Sequence, residues 1–168
     1  MRVEHWIAAN TRGSRVVVEL GAGFCEKLDW VPAQRKIGLD IFPAYFSDAR
    51  VRPCEKIAGD MRDYRKLLPA DAMGDTVMLI DVLEHIPKQD GYALLCFLQR
   101  DFRKILIFTP DGLHVQEDDA TGYGNPHQKH ECGWTEPELE AMGFACEVDA
   151  NYHERGGMLF AVWSKMPA

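Results

Sequence analysis

The chain has 168 residues, 46% hydrophobic and 27% charged, which is enough for one buried core and too little for a second. Lys and Arg total 19 against 26 Asp and Glu, a formal net charge of −7 that argues against a broad basic face for nucleic acid. Five scattered cysteines without a C-x-x-C pair exclude a disulfide framework, and no apolar run approaches the ~18 residues of a membrane span. The expected setting is the cytoplasm, with Cys25, Cys96 and Cys146 as reduced thiols buried in apolar surroundings.

In chain order, residues 1–15 form a minimal N-terminal cap. Val16–Leu20 is a β-branched run ending at Gly21, which predicts a buried strand. Shorter strands are expected at 36–41 and 56–59. The basic stretch from Arg62 to Lys66, interrupted by Asp63 and Tyr64, reads as a solvated helix face. Thr76–Ile80 is the second strong strand, and Lys104 to Phe108 the third, stopped by Thr109-Pro110-Asp111-Gly112. Between them, residues 89–100 place Tyr92, Leu95, Cys96 and Gln99 on one side at helical spacing, predicting an amphipathic crossover helix. Residues 109–133 lack periodicity and predict a loop over a site. Thr135-Glu136-Pro137-Glu138 opens a further helix with a capping box, ending at Gly143. Residues 144–152 and 158–163 flank the turn Glu154-Arg155-Gly156-Gly157 as a hairpin. Alternating strands and helices followed by a hairpin predict an α/β fold: a doubly wound, mostly parallel seven-stranded sheet, helices on both faces, and an antiparallel C-terminal hairpin.

Ligands of open α/β sheets bind beyond the carboxyl ends of the strands, so the residues after each strand carry the chemistry. The first strand is followed by Gly21-Ala22-Gly23, where the backbone turns tightly beside a ligand. The second ends at Asp40, 19 residues after Gly21, an acid placed to accept ribose hydroxyls. Gly59-Asp60-Met61 follows the third strand, and Asp81-Val82-Leu83-Glu84-His85-Ile86 the fourth. A dinucleotide fingerprint needs glycine at position 26, where Glu26 stands. A carboxylate at a helix N-terminus opposes a pyrophosphate, and Glu19 inside the first strand favours a cationic ligand group.

With VVVELGAGFC, GLD, AGDM and LIDVLEHIP in this order, the sequence resembles the class I S-adenosylmethionine-dependent methyltransferases, in the branch with a D-V-L-E-H-I segment. The likeness runs from Val16 to Trp163, within one domain of residues 1–168, and implies a Rossmann-like fold. Cys25 stands where the family often has a third glycine. The resemblance implies S-adenosylmethionine as methyl donor. Glu19, Gly21 and Gly23 would hold its methionine portion, Asp40 its ribose, and Ile41 the adenine face. Asp60 and Met61 would meet the adenine edge, and Asp81 and Val82 the methionine end.

Methyl transfer needs alignment and exclusion of water, plus a base where the acceptor is a hydroxyl or a protonated amine. His85 and His130 are the catalytic candidates, with His127 beside them in the loop. Asp81-x-x-Glu84-His85 with a later His is similar to the divalent-cation set of certain O-methyltransferases, but its first ligand is one methylene short, and the site is read as metal-free. The run His127, His130, Cys132 lacks a complementary zinc pair. No N/D-P-P-Y/W motif follows the fourth strand, which argues against DNA-base methylation. The expected activity is methyl transfer to O or N of a small molecule. The alternative is an idle cofactor-binding scaffold. With so small a cap, the loop at 109–133 or a second chain, such as another copy in a homodimer, would complete the acceptor site.

Overall fold

The computed structural model describes residues 2–117, 122–153 and 156–166. Seven strands form one sheet: β1 (Val16–Leu20), β2 (Arg35–Asp40), β3 (Glu55–Ala58), β4 (Thr76–Ile80), β5 (Lys104–Pro110), β6 (Ala145–His153) and β7 (Gly156–Ser164). Their order is β3-β2-β1-β4-β5-β7-β6. The first five run parallel, and β7 pairs antiparallel with both β5 and β6. The expected sheet and its C-terminal hairpin are therefore present, with β2 and β3 each starting one residue earlier than the sequence suggested. Glu154 and Arg155 of the hairpin turn lie outside the described residues.

Successive side chains of a strand point to opposite faces, and the sheet has a core on each. On one face Val18, Leu20, Val77, Leu79, Ile105 and Ile107 pack with Tyr64, Leu94, Leu95, Leu98 and Trp134. On the other, Val17, Met78, Ile80, Leu106 and Phe108 pack with Trp6, Ile7, Leu28 and Val31. Trp6 and Ile7 belong to helix α1 (Val3–Asn10), so the N-terminal stretch covers the sheet and does not roof the strand ends.

The crossovers differ from the expected regular helices. Between β1 and β2 stands only a 3-10 turn, Glu26–Trp30, and between β2 and β3 another, Pro43–Ser47. Proline explains this: Pro32 biases Val31 to extended backbone and closes the first segment, while Pro43 and Pro53 bracket the second. A single turn, α2 (Tyr64–Leu67), lies between β3 and β4, and a full-length helix, α3 (Lys88–Asp101), links β4 to β5. The buried stripe of α3 is Gly91, Leu94, Leu95 and Leu98, one position round from the expected face. Tyr92 lies at its flank against Trp134 at 5.0 Å, and Cys96 is exposed. Apolar leucines win the interior over a cysteine at the same period. Cys146 is only half-buried, so of the three thiols expected inside, Cys25 alone is buried.

Helix α4 (Glu136–Ala141) starts as the sequence predicts: Glu138 Oε2 accepts from the Thr135 N–H at 2.9 Å and its hydroxyl at 2.8 Å. The basic stretch is neutralised, Arg62 pairing with Asp60 and Asp90, Arg65 with Asp101, and Lys66 with Asp63. No described helix is long and apolar enough to cross a membrane.

Candidate active site

Strands β1 to β4 run parallel, so the turns after them meet along one edge of the sheet. The Gly21 and Ala22 N–H groups donate to the Leu39 carbonyl at 2.8 and 3.0 Å, which binds the first turn to β2. Gly21 has φ +72°, and a Cβ there would stand 2.1 Å from Val82 Cγ2, so only glycine allows the turn to pack on the β4 end. Gly23 has φ +52° and nothing within 4 Å of the place its Cβ would take. Its backbone borders open space that a ligand can approach.

Asp40 is pinned by backbone: Gly23 N–H donates to Oδ2 at 2.7 Å and Phe42 N–H to Oδ1 at 2.8 Å. Each oxygen keeps a lone pair for an incoming hydroxyl. Burial raises its pKa, and these donors with His127 and Lys27 oppose the rise. Asp60 accepts the Arg62 N–H at 2.9 Å and holds the guanidinium at 2.6 Å, which keeps its carboxyl below the ordinary range. Asp81 adopts φ +51°, uncommon for a residue with a side chain, and its N–H donates to Phe108 O at 2.8 Å. Asp81 is exposed at the cleft, yet the surrounding protein desolvates its carboxyl and raises its pKa against the pull of Lys27, His153 and His130.

Two acids lie deeper. Glu19 is fully buried in β1, and neither carboxylate oxygen has a hydrogen-bond partner among the described residues. Desolvation pushes its pKa up to about 8, with Lys27 opposing and Cys54, Asp40 and Asp81 adding to the rise. Glu84 is buried, and its carboxylate accepts the Thr109 hydroxyl at 2.9 Å. Burial again raises the pKa, and Asp81 adds to it.

His85 and His130 meet edge to face, ring centroids 4.8 Å apart. His85 Nδ1 lies 3.0 Å from Lys129 O, and His130 Nδ1 lies 2.6 Å from His114 O. A carbonyl only accepts, so both Nδ1 atoms carry the proton and both Nε2 atoms present a lone pair. Burial lowers the pKa of His85, which favours the neutral ring. Glu84, His85 and His130 bring one ligand atom each within 4.8 Å of one another, near enough together that they could hold a metal ion. Asp81, the first residue of the cation pattern in the sequence, is outside this set. Cys132 is outside it as well, its thiol donating to Ile86 O at 3.3 Å.

The loop after β5 closes over this edge. His130 N–H donates to Gln116 O at 3.0 Å, and the Glu131 and Cys132 N–H groups donate to Glu84 O at 2.9 and 3.2 Å. Asn125 Nδ2 donates to the buried Tyr45 hydroxyl at 2.9 Å. Arg50 stacks 4.0 Å over Phe24 and donates to the Tyr123 hydroxyl at 2.9 Å, fastening the loop to the glycine turn. Trp134, just past this loop, is fully buried in the core, its Nε1–H 3.4 Å from Leu83 O. Residues 118–121 of this loop lie outside the described residues.

Together these elements enclose a cleft of about 1120 Å³. Gly21, Gly23, Asp40, Ile41, Asp60, Met61, Asp81, Val82, His85 and His130 all line it; Glu19, fully buried, does not. The sequence reading missed Phe24, Lys27, His153 and Met158, which also line it, as does Asn125 from the loop expected over the site. Lys27 follows the glycine turn without a motif to mark it, and His153 and Met158 arrive from the distant hairpin. The helix-dipole argument against a pyrophosphate also changes, since a 3-10 turn follows the glycines where an α-helix was expected.

No family model and no curated protein matches the sequence. Solved structures do. The DhpI–SAH complex superposes with a TM-score of 0.63 at 19% identity, covering 95% of this chain and 80% of that one. CalS10 from Micromonospora echinaspora, an amino pentose methyltransferase with SAM bound, gives 0.60 at 13% identity, covering 95% and 88%. The small RNA methyltransferase HEN1 gives 0.65 at 16% identity, covering 99% of this chain but 25% of its own. The fold is that of the class I methyltransferases.

Proposed function

We propose that this chain transfers the methyl group of S-adenosylmethionine (SAM) to an oxygen or nitrogen of a small-molecule acceptor. The observation that carries the reading is the convergence of the four strand-end motifs on one cleft, with a buried carboxylate, Glu19, that has no partner among the described residues. The residues fit the donor. The open backbone at Gly23 leaves room for a ligand, and the free lone pairs of Asp40 suit ribose hydroxyls. Glu19, costly to bury without a partner, suits a cationic amino group. Asp60 and Met61, both lining the cleft, would take the adenine end, and Asp81 and Val82 the methionine end. SAM supplies an electrophilic methyl on a sulfonium. The protein aligns the acceptor with it and excludes water under the loop after β5. His85 or His130 takes the acceptor's proton at Nε2.

A divalent cation on Glu84, His85 and His130 is the second reading, favoured by their ligand atoms converging within 4.8 Å. Such an ion would lower the pKa of a bound hydroxyl acceptor.

Thermal melts with S-adenosylhomocysteine (SAH) test the donor site. At 100 times its Kd, SAH adds about 2.7 kcal/mol, an upward shift of roughly 5–10 °C for a chain of this size. NAD should leave the midpoint unmoved, and Asp40→Ala should lose most of the SAH shift. A midpoint indifferent to SAH sinks the reading. Melts with EDTA and with added Mn²⁺ separate the two proton-removal schemes, and a labelled-methyl screen separates an enzyme from an idle scaffold.

A further inference from the structure

The cleft is rich in acid and poor in fixed positive charge. Among the described residues its lining holds one lysine and one arginine, Lys27 and Arg62. Arg62 is committed, bonded to Asp60 at 2.6 Å and to Asp90 at 2.7 Å. Lys27 is not: it lines the cleft half-buried and makes no hydrogen bond or ion pair with a described residue. It stands on the Glu26–Trp30 turn, just past Gly23, beside the inner end of β1. Its charge reaches Glu19, Asp40, Asp81 and Glu84, favouring the ionised form of each, yet it contacts none of them. A half-buried ammonium without an anion in contact gives up hydration for nothing in return unless a ligand brings the anion.

The donor's amino-acid end carries an ammonium and a carboxylate on one carbon. Glu19, buried with both oxygens unpartnered among the described residues, suits the ammonium. The carboxylate then needs a cation nearby that is not already paired. We propose that Lys27 binds the α-carboxylate of the methyl donor, an assignment that rests on the methyl-donor reading above. Lys27 thereby makes the site select for ligands that keep the amino-acid end, against nucleosides that lack it.

Calorimetric titration of the whole chain with SAH and with 5′-methylthioadenosine tests this, because the second ligand lacks the amino-acid end. Lys27→Met should weaken SAH about tenfold to a hundredfold, the range of one charge-assisted contact, and leave 5′-methylthioadenosine within twofold. Lys27→Arg should restore most of the SAH affinity. Unchanged SAH affinity in Lys27→Met overturns the assignment. Equal loss of both ligands overturns it too, marking Lys27 as a counter-ion that holds the acids together. A wild-type chain that binds 5′-methylthioadenosine as tightly as SAH denies that the amino-acid end is bound at all. If it binds neither, the methyl-donor reading fails first and the assignment with it.

Discussion

Glu19 keeps its proton in the folded chain up to about pH 8, whereas an unfolded glutamate loses it near 4.5. Between those values the folded state binds more protons than the unfolded one, so the stability of the unliganded protein falls as pH rises through that window. Glu19→Gln removes this titration. Melts from pH 6 to 8.5 should then show a shallower decline, and at pH 8.5 the variant should be more stable than wild type by about 1–3 kcal/mol. The same substitution should weaken SAH. An unaltered pH slope would show that the buried carboxyl carries no such penalty. Glu19 could be read as a ligand-facing acid from sequence because it stands near the end of the first strand, two residues before Gly21. Its lack of a partner among the described residues could not, since that depends on β2 and β4, which set Gly38 and Met78 beside it.

Helix α4 shows what local sequence decides. The Thr135 and Glu138 pair is three residues apart, and Glu138 also bonds Lys88 at 2.8 Å, which joins α4 to α3. Glu138→Ala should lower stability by about 1–2 kcal/mol, read from urea midpoints, and leave ligand affinity alone. The strands and the capping box were legible because each rests on neighbours in sequence. The reduced crossovers were written in Pro32, Pro43 and Pro53, whose effect on helix length outweighs the expectation of a regular α/β repeat. The stripe of α3 turned on which residues Trp134 and Tyr64 leave room for, a tertiary matter. That His85 and His130 serve one site was legible from their motifs, but their edge-to-face contact was not, because the carbonyls of Lys129 and His114 orient the rings from a loop without period.

At the scale of the molecule, the sheet is held between a helical face and a thinner one closed by α1 and a 3-10 turn. Trp6 lies edge-on to Phe160 at 5.3 Å and takes no part in the cleft. Trp6→Ala should cost about 3–5 kcal/mol and lower the melting midpoint by roughly 10 °C, with SAH affinity unchanged at temperatures where the variant stays folded. A loss of affinity without loss of stability would instead assign the N-terminal helix to recognition. The abbreviated crossovers also bear on how the chain finds its fold. Parallel pairing joins Val16 to Arg35 and Ile37 to Glu55 across short connections, while Thr76 reaches Lys104 across a longer one and Lys104 reaches Ser164 across most of the C-terminal third. Loop-closure entropy grows with the length of chain enclosed, so the pairings that set Gly21, Asp40 and Asp60 side by side are the least costly to make first. The half of the cleft built by Gly21, Asp40 and Asp60 is thus the half the chain can assemble before its C-terminal hairpin has docked.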